Sequence, residues 1–245
     1  MTVNIPPTVL PTKKPNRQRF RRPWNIDPSC VLALMPEVNS TWRDYSLEAN
    51  HVVLTSATKV YNCRFGDGIY FDGIDDAITA TVDPFILIGL SDFTCEAWVK
   101  TTDITTDNGI LSNRNTAGWK GINWTISGLG DAGELRIEMT DDDGNHTALL
   151  ADTPLIQDTW NHAVFAADRD GDGAFYLNGV ADGGGDISAS DATLAATIAF
   201  TIGARTRAPY DIDFEGYIDE LRIYNRLLAA WEVRALYEQG RPGGV

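Results

Sequence analysis

Cysteine and histidine are scarce in this chain: 245 residues hold Cys30, Cys63 and Cys95, and only three imidazoles, His51, His146 and His162. An odd set of cysteines without CxxC spacing reads as buried reduced thiols rather than a disulfide framework or a zinc site. No apolar run reaches eighteen residues, so nothing in the sequence reads as a membrane-spanning helix. The opening residues lack the apolar core of a signal peptide, which leads to the expectation of a protein put together in the cytoplasm. Ser91 stands outside any Gly-x-Ser-x-Gly elbow, and no nucleophile with a neighbouring base can be read from the sequence. A retaining glycosidase needs two carboxylates about 5 Å apart. Glu134 and Glu138 share one face of a strand but stand four residues apart, too far along it for such a pair, and read as a solvent-facing stripe.

What the chain does contain is period-two alternation. Leu135-Arg-Ile-Glu-Met139 and similar runs, punctuated by Asp-Gly and Gly-Asn pairs, read as half-buried strands joined by hairpins. A chain of this length accommodates one large β domain. Near the C-terminus an alternating strand with Tyr217 or Ile218, Leu221 and Ile223 as its apolar positions passes into Leu227, Leu228, Trp231, Val233, Leu236 and Tyr237 at helical spacing, ending at Gly240.

The segment from Phe214 to Leu228 resembles the C-terminal signature of the laminin-G-like, concanavalin A-like jelly-roll family. Other stretches in family order are similar too. They are Asp27–Leu34, Arg64–Ile78, Phe93–Lys100, Trp160–Val164, Phe175–Val180 and Phe200–Gly203. The resemblance implies an all-β fold, a two-sheet antiparallel jelly-roll sandwich, with a short C-terminal helix over one end. It divides the chain into an extended N-terminal arm (1–26), the sandwich (27–240) and a short tail (241–245). Members of the family mostly bind and seldom catalyse. Its laminarinase-type relatives carry Glu-x-Asp-x-x-Glu, a string that does not occur here. Trp98, Trp160 and His162 fall on core strands by this resemblance and read as packing residues.

Charge is divided unevenly along the chain. Residues 1–26 hold Lys13, Lys14, Arg17, Arg19, Arg21 and Arg22 and no acid, a charge of +6, while the remainder carries −20. Pro6, Pro7, Pro11, Pro15 and Pro23 keep the arm extended. Together with Phe20 and Trp24, the cations point to an acidic protein surface, either in a homo-oligomer or in a larger assembly. Nucleic acid is disfavoured, because a body at −20 repels phosphate.

Two ligand chemistries remain. Asp72 and Asp75 in one acidic hairpin, with Asp219 on the strand that the family places nearby, supply oxygens suited to calcium. Asp168-Arg-Asp170-Gly-Asp172 begins like an EF-hand loop, but Gly179 occupies its twelfth position, so a hairpin turn is expected. Trp119, Trp124 and Tyr210, near Arg114, Asn115 and Arg207, are candidates for a platform on which a sugar stacks. The leading functional expectation is a non-catalytic decorating component, such as one on a phage virion or capsid, anchored by the arm. The alternative is an extracellular carbohydrate-binding module, and the third is a glycoside hydrolase.

Overall fold

Ile122, Trp124 and Ile126 alternate with Asn123 and Thr125, so three apolar side chains share one face of a strand and two polar ones the other. Repeated through the chain, this pattern requires a second layer to cover each apolar face. The computed structural model describes residues 27–36, 42–50, 52–56, 58–114, 118–128, 130, 133–205 and 212–240. The arm 1–26 and the tail 241–245 lie outside the described residues.

The chain runs through β1 (Cys30–Pro36), β2 (Trp42–Asp44), β3 (Val52–Thr55), β4 (Thr58–Cys63), β5 (Gly66–Asp72) and β6 (Ala77–Ala80) to a short α1 (Pro84–Ile88). Then come β7 (Phe93–Thr101), β8 (Asn108–Ser112), β9 (Gly121–Ile126), β10 (Glu134–Thr140), β11 (His146–Pro154) and β12 (Asn161–Ala167). The last part holds β13 (Asp172–Leu177), β14 (Val180–Asp186), β15 (Phe200–Ile202), β16 (Ala204–Arg205), β17 (Ile212–Asp213), β18 (Glu215–Tyr224) and α2 (Ala230–Gly240).

One sheet has the order β14-β13-β12-β7-β18-β1-β2, with β5 also on β18 and β4 on β5; the other runs β11-β10-β9-β8-β15-β6-β3. The pairings in both are antiparallel. Phe71, Cys95, Val99, Phe165 and Ile218 of the first sheet meet Ile110, Ile122, Trp124, Ile137 and Phe200 of the second in one continuous core. The molecule is therefore the expected two-sheet sandwich. Among the described residues no helix is long and apolar enough to cross a membrane.

β18 shows how side-chain chemistry bends a strand. Ile218 and Leu221 are three apart yet both fully buried in the core, which simple alternation forbids. The register slips between Asp219 and Arg222, and Glu220 takes φ +51°, a bulge that turns Leu221 inward. Asp219 pins it, its carboxylate accepting the N–H groups of Glu220 (2.9 Å) and Phe65 (3.0 Å). The bulge also divides one edge of the strand, with β5 pairing residues Glu215–Ile218 and β1 pairing Leu221–Tyr224.

α2 lies across the outer face of the nine-stranded sheet, not over an end of the sandwich. Tyr237 stacks on Trp98 (5.8 Å, 17°), and Val233 joins Leu228, Ala33, Met35, Val164 and Tyr224 in a second apolar cluster. Beneath this cover a charged network is sealed in. Glu96, 0% exposed, accepts from both Arg222 Nη1 contacts at 3.1 Å and from the Tyr224 hydroxyl at 3.2 Å, and lies 3.0 Å from His162 Nε2. Burial pushes the Glu96 carboxyl up, but Arg222 and His162 outweigh it and hold the pKa at about 2. His162 is thus a structural residue, as its place in the sequence suggested.

Candidate functional site

β9 and β10 present their polar residues on the outer face of the seven-stranded sheet. Asn123 and Thr125 come from β9, and Arg136 and Glu138 from β10, with Asn123 opposite Glu138 and Thr125 opposite Arg136 in register. The ribbon of β16 and β17 crosses this face, packed against Gly109 of β8. A Cβ there would lie 2.8 Å from the Ile212 carbonyl oxygen, so only glycine lets the two backbones approach. The result is a cleft of about 250 Å³ lined by Asn123, Thr125, Arg136 and Glu138, with Arg205 and Ile212 of the ribbon, Asp107 and Trp119 around them.

Glu138 organises the cleft. Its Oε2 receives Arg114 Nη1 at 2.6 Å and Asn123 Nδ2 at 3.2 Å, with Arg205 Nη1 at 3.7 Å. Arg136 Nη2 reaches Oε1 at 3.0 Å. Burial raises the Glu138 pKa, and the charges of Arg114 and Arg136 more than reverse it, leaving the carboxyl below its ordinary value. The side chain is 14% exposed, so Glu138 belongs to a clustered ion network and not to the solvent-facing stripe read from the sequence.

Arg114 and Trp119 do come together. Arg114 Nε donates to the Trp119 carbonyl at 2.9 Å, and its guanidinium lies 5.2 Å from the Trp119 ring. That leaves the ring 41% exposed at the rim of the cleft. Trp124 does not join them. It is 0% exposed, on the inward face of β9 among the core side chains, so the expected stacking role is corrected to packing. Tyr210, Asn115 and Arg207 lie outside the described residues, as do the arm residues Lys13, Lys14, Arg17, Arg19, Phe20, Arg21, Arg22 and Trp24.

One atom in the cleft is conspicuous. Asn123 is 1% exposed, yet its Oδ1 has no hydrogen-bond partner among the described residues. The assignment of its amide is fixed by Glu138, which requires the Nδ2 donor on its own side. Buried carbonyl groups of this kind are nearly always satisfied, so this unpaired acceptor, itself closed to solvent, is suited to a ligand hydroxyl that parts the side chains lining the cleft.

The calcium set read from the sequence is not assembled. Asp72, Asp75 and Asp76 have oxygens within 4.8 Å of one another, but Asp219 is not among them. Register puts Glu215 opposite Asp72 and Ile218 opposite Ile69, so Asp219 sits roughly 13 Å along the strand, with its oxygens given to the bulge. Burial, with the charges of Asp72 and Asp75, raises the Asp76 pKa, and its carboxylate accepts the Asp72 N–H at 2.8 Å. The Asp168–Asp172 segment is the expected hairpin turn, closed by Gly171 N–H to the Asp168 carbonyl at 3.0 Å.

Asn123, Arg136 and Arg205 were not singled out from the sequence, and Glu138 was read there only as part of a solvent-facing stripe. The available signal was that Glu138 and Asn123 alternate with core residues of neighbouring strands, Leu135-Ile137 and Ile122-Trp124.

Comparison with known proteins bears on the fold. The binding domain of Paraclostridial Mosquitocidal Protein 1 is similar over 86% of this chain and 52% of that one, with 18% identity and a TM-score of 0.68. The receptor binding domain of botulinum neurotoxin C/D mosaic serotype is similar over 87% and 52%, with 18% identity and a TM-score of 0.69. The binding domain of botulinum neurotoxin DC, in complex with rat synaptotagmin II, gives 89% and 53%, 14% identity and a TM-score of 0.69. This chain spans about half the length of those solved structures. No curated protein matches it in sequence. A family model, described as the concanavalin A-like lectin/glucanases superfamily, matches residues 71–234, and with the sandwich it models now in view, the chain belongs to that superfamily.

Proposed function

We propose that this chain is a non-catalytic binding module that holds a saccharide in the cleft between β9, β10 and the β16–β17 ribbon. The unpaired acceptor Asn123 Oδ1, closed to solvent beneath the lining of the cleft, carries the reading, since a sugar hydroxyl that displaces this lining can donate to it while the ring rests against Trp119. The similar solved structures are binding domains of toxins, which supports binding over turnover. Chemistry supports it as well: a general acid needs a raised pKa, and Glu138 is held in the opposite direction. Titration of the protein against a panel of oligosaccharides checks the proposal. A ligand should bind and be recovered uncleaved, and Asn123→Ala and Trp119→Ala should each weaken it by about fivefold to tenfold. Cleavage of the sugar, or affinity indifferent to both substitutions, would sink it.

A second reading is supported by the charge division, +6 over residues 1–26 against −20 over the rest. It is a decorating component of a larger assembly, such as a virion put together in the cytoplasm, attached by the arm through an acidic protein surface or a second copy of the chain. Exposed ion pairs contribute only about 0–1 kcal/mol each, so attachment would draw on Phe20 and Trp24 as well as the six cations. Deleting residues 1–23 should abolish incorporation into the assembly while leaving the melting temperature unchanged. Incorporation of the shortened chain at full occupancy would leave the extracellular carbohydrate-binding module as the better account.

A further inference from the structure

We propose, resting on the saccharide reading, that the cleft selects an acidic sugar, one bearing a ring carboxylate, over its neutral counterpart. Three guanidiniums, those of Arg114, Arg136 and Arg205, lie within 3.7 Å of the single carboxylate of Glu138. They gather in a body whose overall charge is strongly negative, so the cleft is a local reversal of the protein's field. Arg114, almost wholly buried, holds Glu138 from behind at 2.6 Å. Arg136 stands in front with its side chain 37% exposed and one nitrogen on Oε1. A guanidinium has five N–H donors, so Arg136 keeps donors for a carboxylate entering from solvent, in the bidentate fork that suits that group.

Register sets the spacing. Arg136 is opposite Thr125 and Glu138 opposite Asn123, so the cation and the unpaired acceptor are diagonal neighbours across the strand pair on the same face, about 7–8 Å apart at their backbones. One hexose ring spans that distance. A hydroxyl on one side of the ring can donate to Asn123 Oδ1 while a carboxylate carried on the other meets Arg136. A neutral sugar satisfies the acceptor alone. Asp107, at the margin of the cleft, already accepts the Gly128 N–H at 2.8 Å.

The experiment pairs ligands that differ only in this group. Full-length protein is titrated with oligogalacturonate, with the same oligomer reduced to the neutral galactan, and with a sulfated galactan of equal length. The uronate is expected to bind at least tenfold more tightly than the neutral oligomer, and added salt should erode only that difference. Arg136→Gln should remove the preference, bringing the affinity for the uronate down to that for the neutral oligomer measured on the same variant. Arg136→Lys, which retains the charge but not the fork, should recover part of the preference. Equal affinity for uronate and neutral sugar overturns acid selection and leaves the saccharide reading intact, whereas absence of binding to all three overturns both. Sulfate bound as tightly as carboxylate overturns the commitment to a ring carboxylate.

Discussion

Replacing Glu96 with alanine is expected to destabilise the fold by about 3–5 kcal/mol, the range for removing one partner of a buried ion pair. The cause is what remains behind. Arg222 loses the carboxylate that received it twice at 3.1 Å, and the Tyr224 hydroxyl and His162 Nε2 lose their partner under the cover of α2. Arg222 retains Glu220, so the guanidinium stays charged, now inside a face that has no second acid at the Glu96 position. Acid should produce a related effect in the native protein. The folded-state pKa of Glu96 is depressed from 4.5 to about 2, so its contribution is complete above pH 4.5 and is lost as pH falls toward 2. Denaturant unfolding of the native protein and of Glu96→Gln across pH 2–7 tests both statements. A Glu96→Ala variant within 1 kcal/mol of the native protein, or an acid limb unchanged in Glu96→Gln, would show that the network is not what ties β7, β12 and β18 together beneath α2.

The second large effect separates two tryptophans that look alike in sequence. Trp124→Ala empties a fully enclosed site in the core and should lower stability by about 3–5 kcal/mol. Trp119→Ala removes a ring that solvent already reaches, and its effect on stability should stay within about 0.5 kcal/mol. Ligand binding should respond in the opposite order, with Trp119→Ala losing affinity and the surviving native fraction of Trp124→Ala retaining it. Thermal melts with saccharide titrations on both variants read this out. If Trp119→Ala melts as early as Trp124→Ala, the rim of the cleft is part of the core and the site has been drawn in the wrong place.

Much of the sandwich was legible because period-two alternation is a local property. β10 reads correctly from Leu135, Ile137 and Met139 alone, whereas β9 went unread although Ile122, Trp124 and Ile126 alternate in the same way. Trp124 was taken for a platform residue, since a six-residue strand beside glycines offers little context for deciding which face is covered. β18 resisted simple alternation for a different reason: its bulge changes the parity between Ile218 and Leu221. Charged residues were the least legible. Glu96 meets His162 and Arg222 across 66 and 126 residues of sequence, and Glu138 meets Arg114 across 24. A carboxylate on an alternating strand looks solvated until the partners that neutralise it arrive from other strands. The position of Asp219 was misread for a similar reason, because the backbone N–H groups it serves become available only when the bulge forms.

The placement of β18 between β7 and β1 has a consequence for how the molecule is made. Cys30 at the start of β1 pairs with Tyr224 at the end of β18, so the first strand, though it meets β2 early, can find its other neighbour only after Tyr224 has left the ribosome. At about 5–20 residues per second that wait is on the order of 10–40 s. During it, β7 and β1 each display an unpaired edge of the strand kind that recruits other chains. A nascent chain of this protein is therefore most exposed to aggregation late in synthesis, and a product ending before Glu215 lacks the strand that joins β7 to β1 and β5, however complete its seven-stranded sheet.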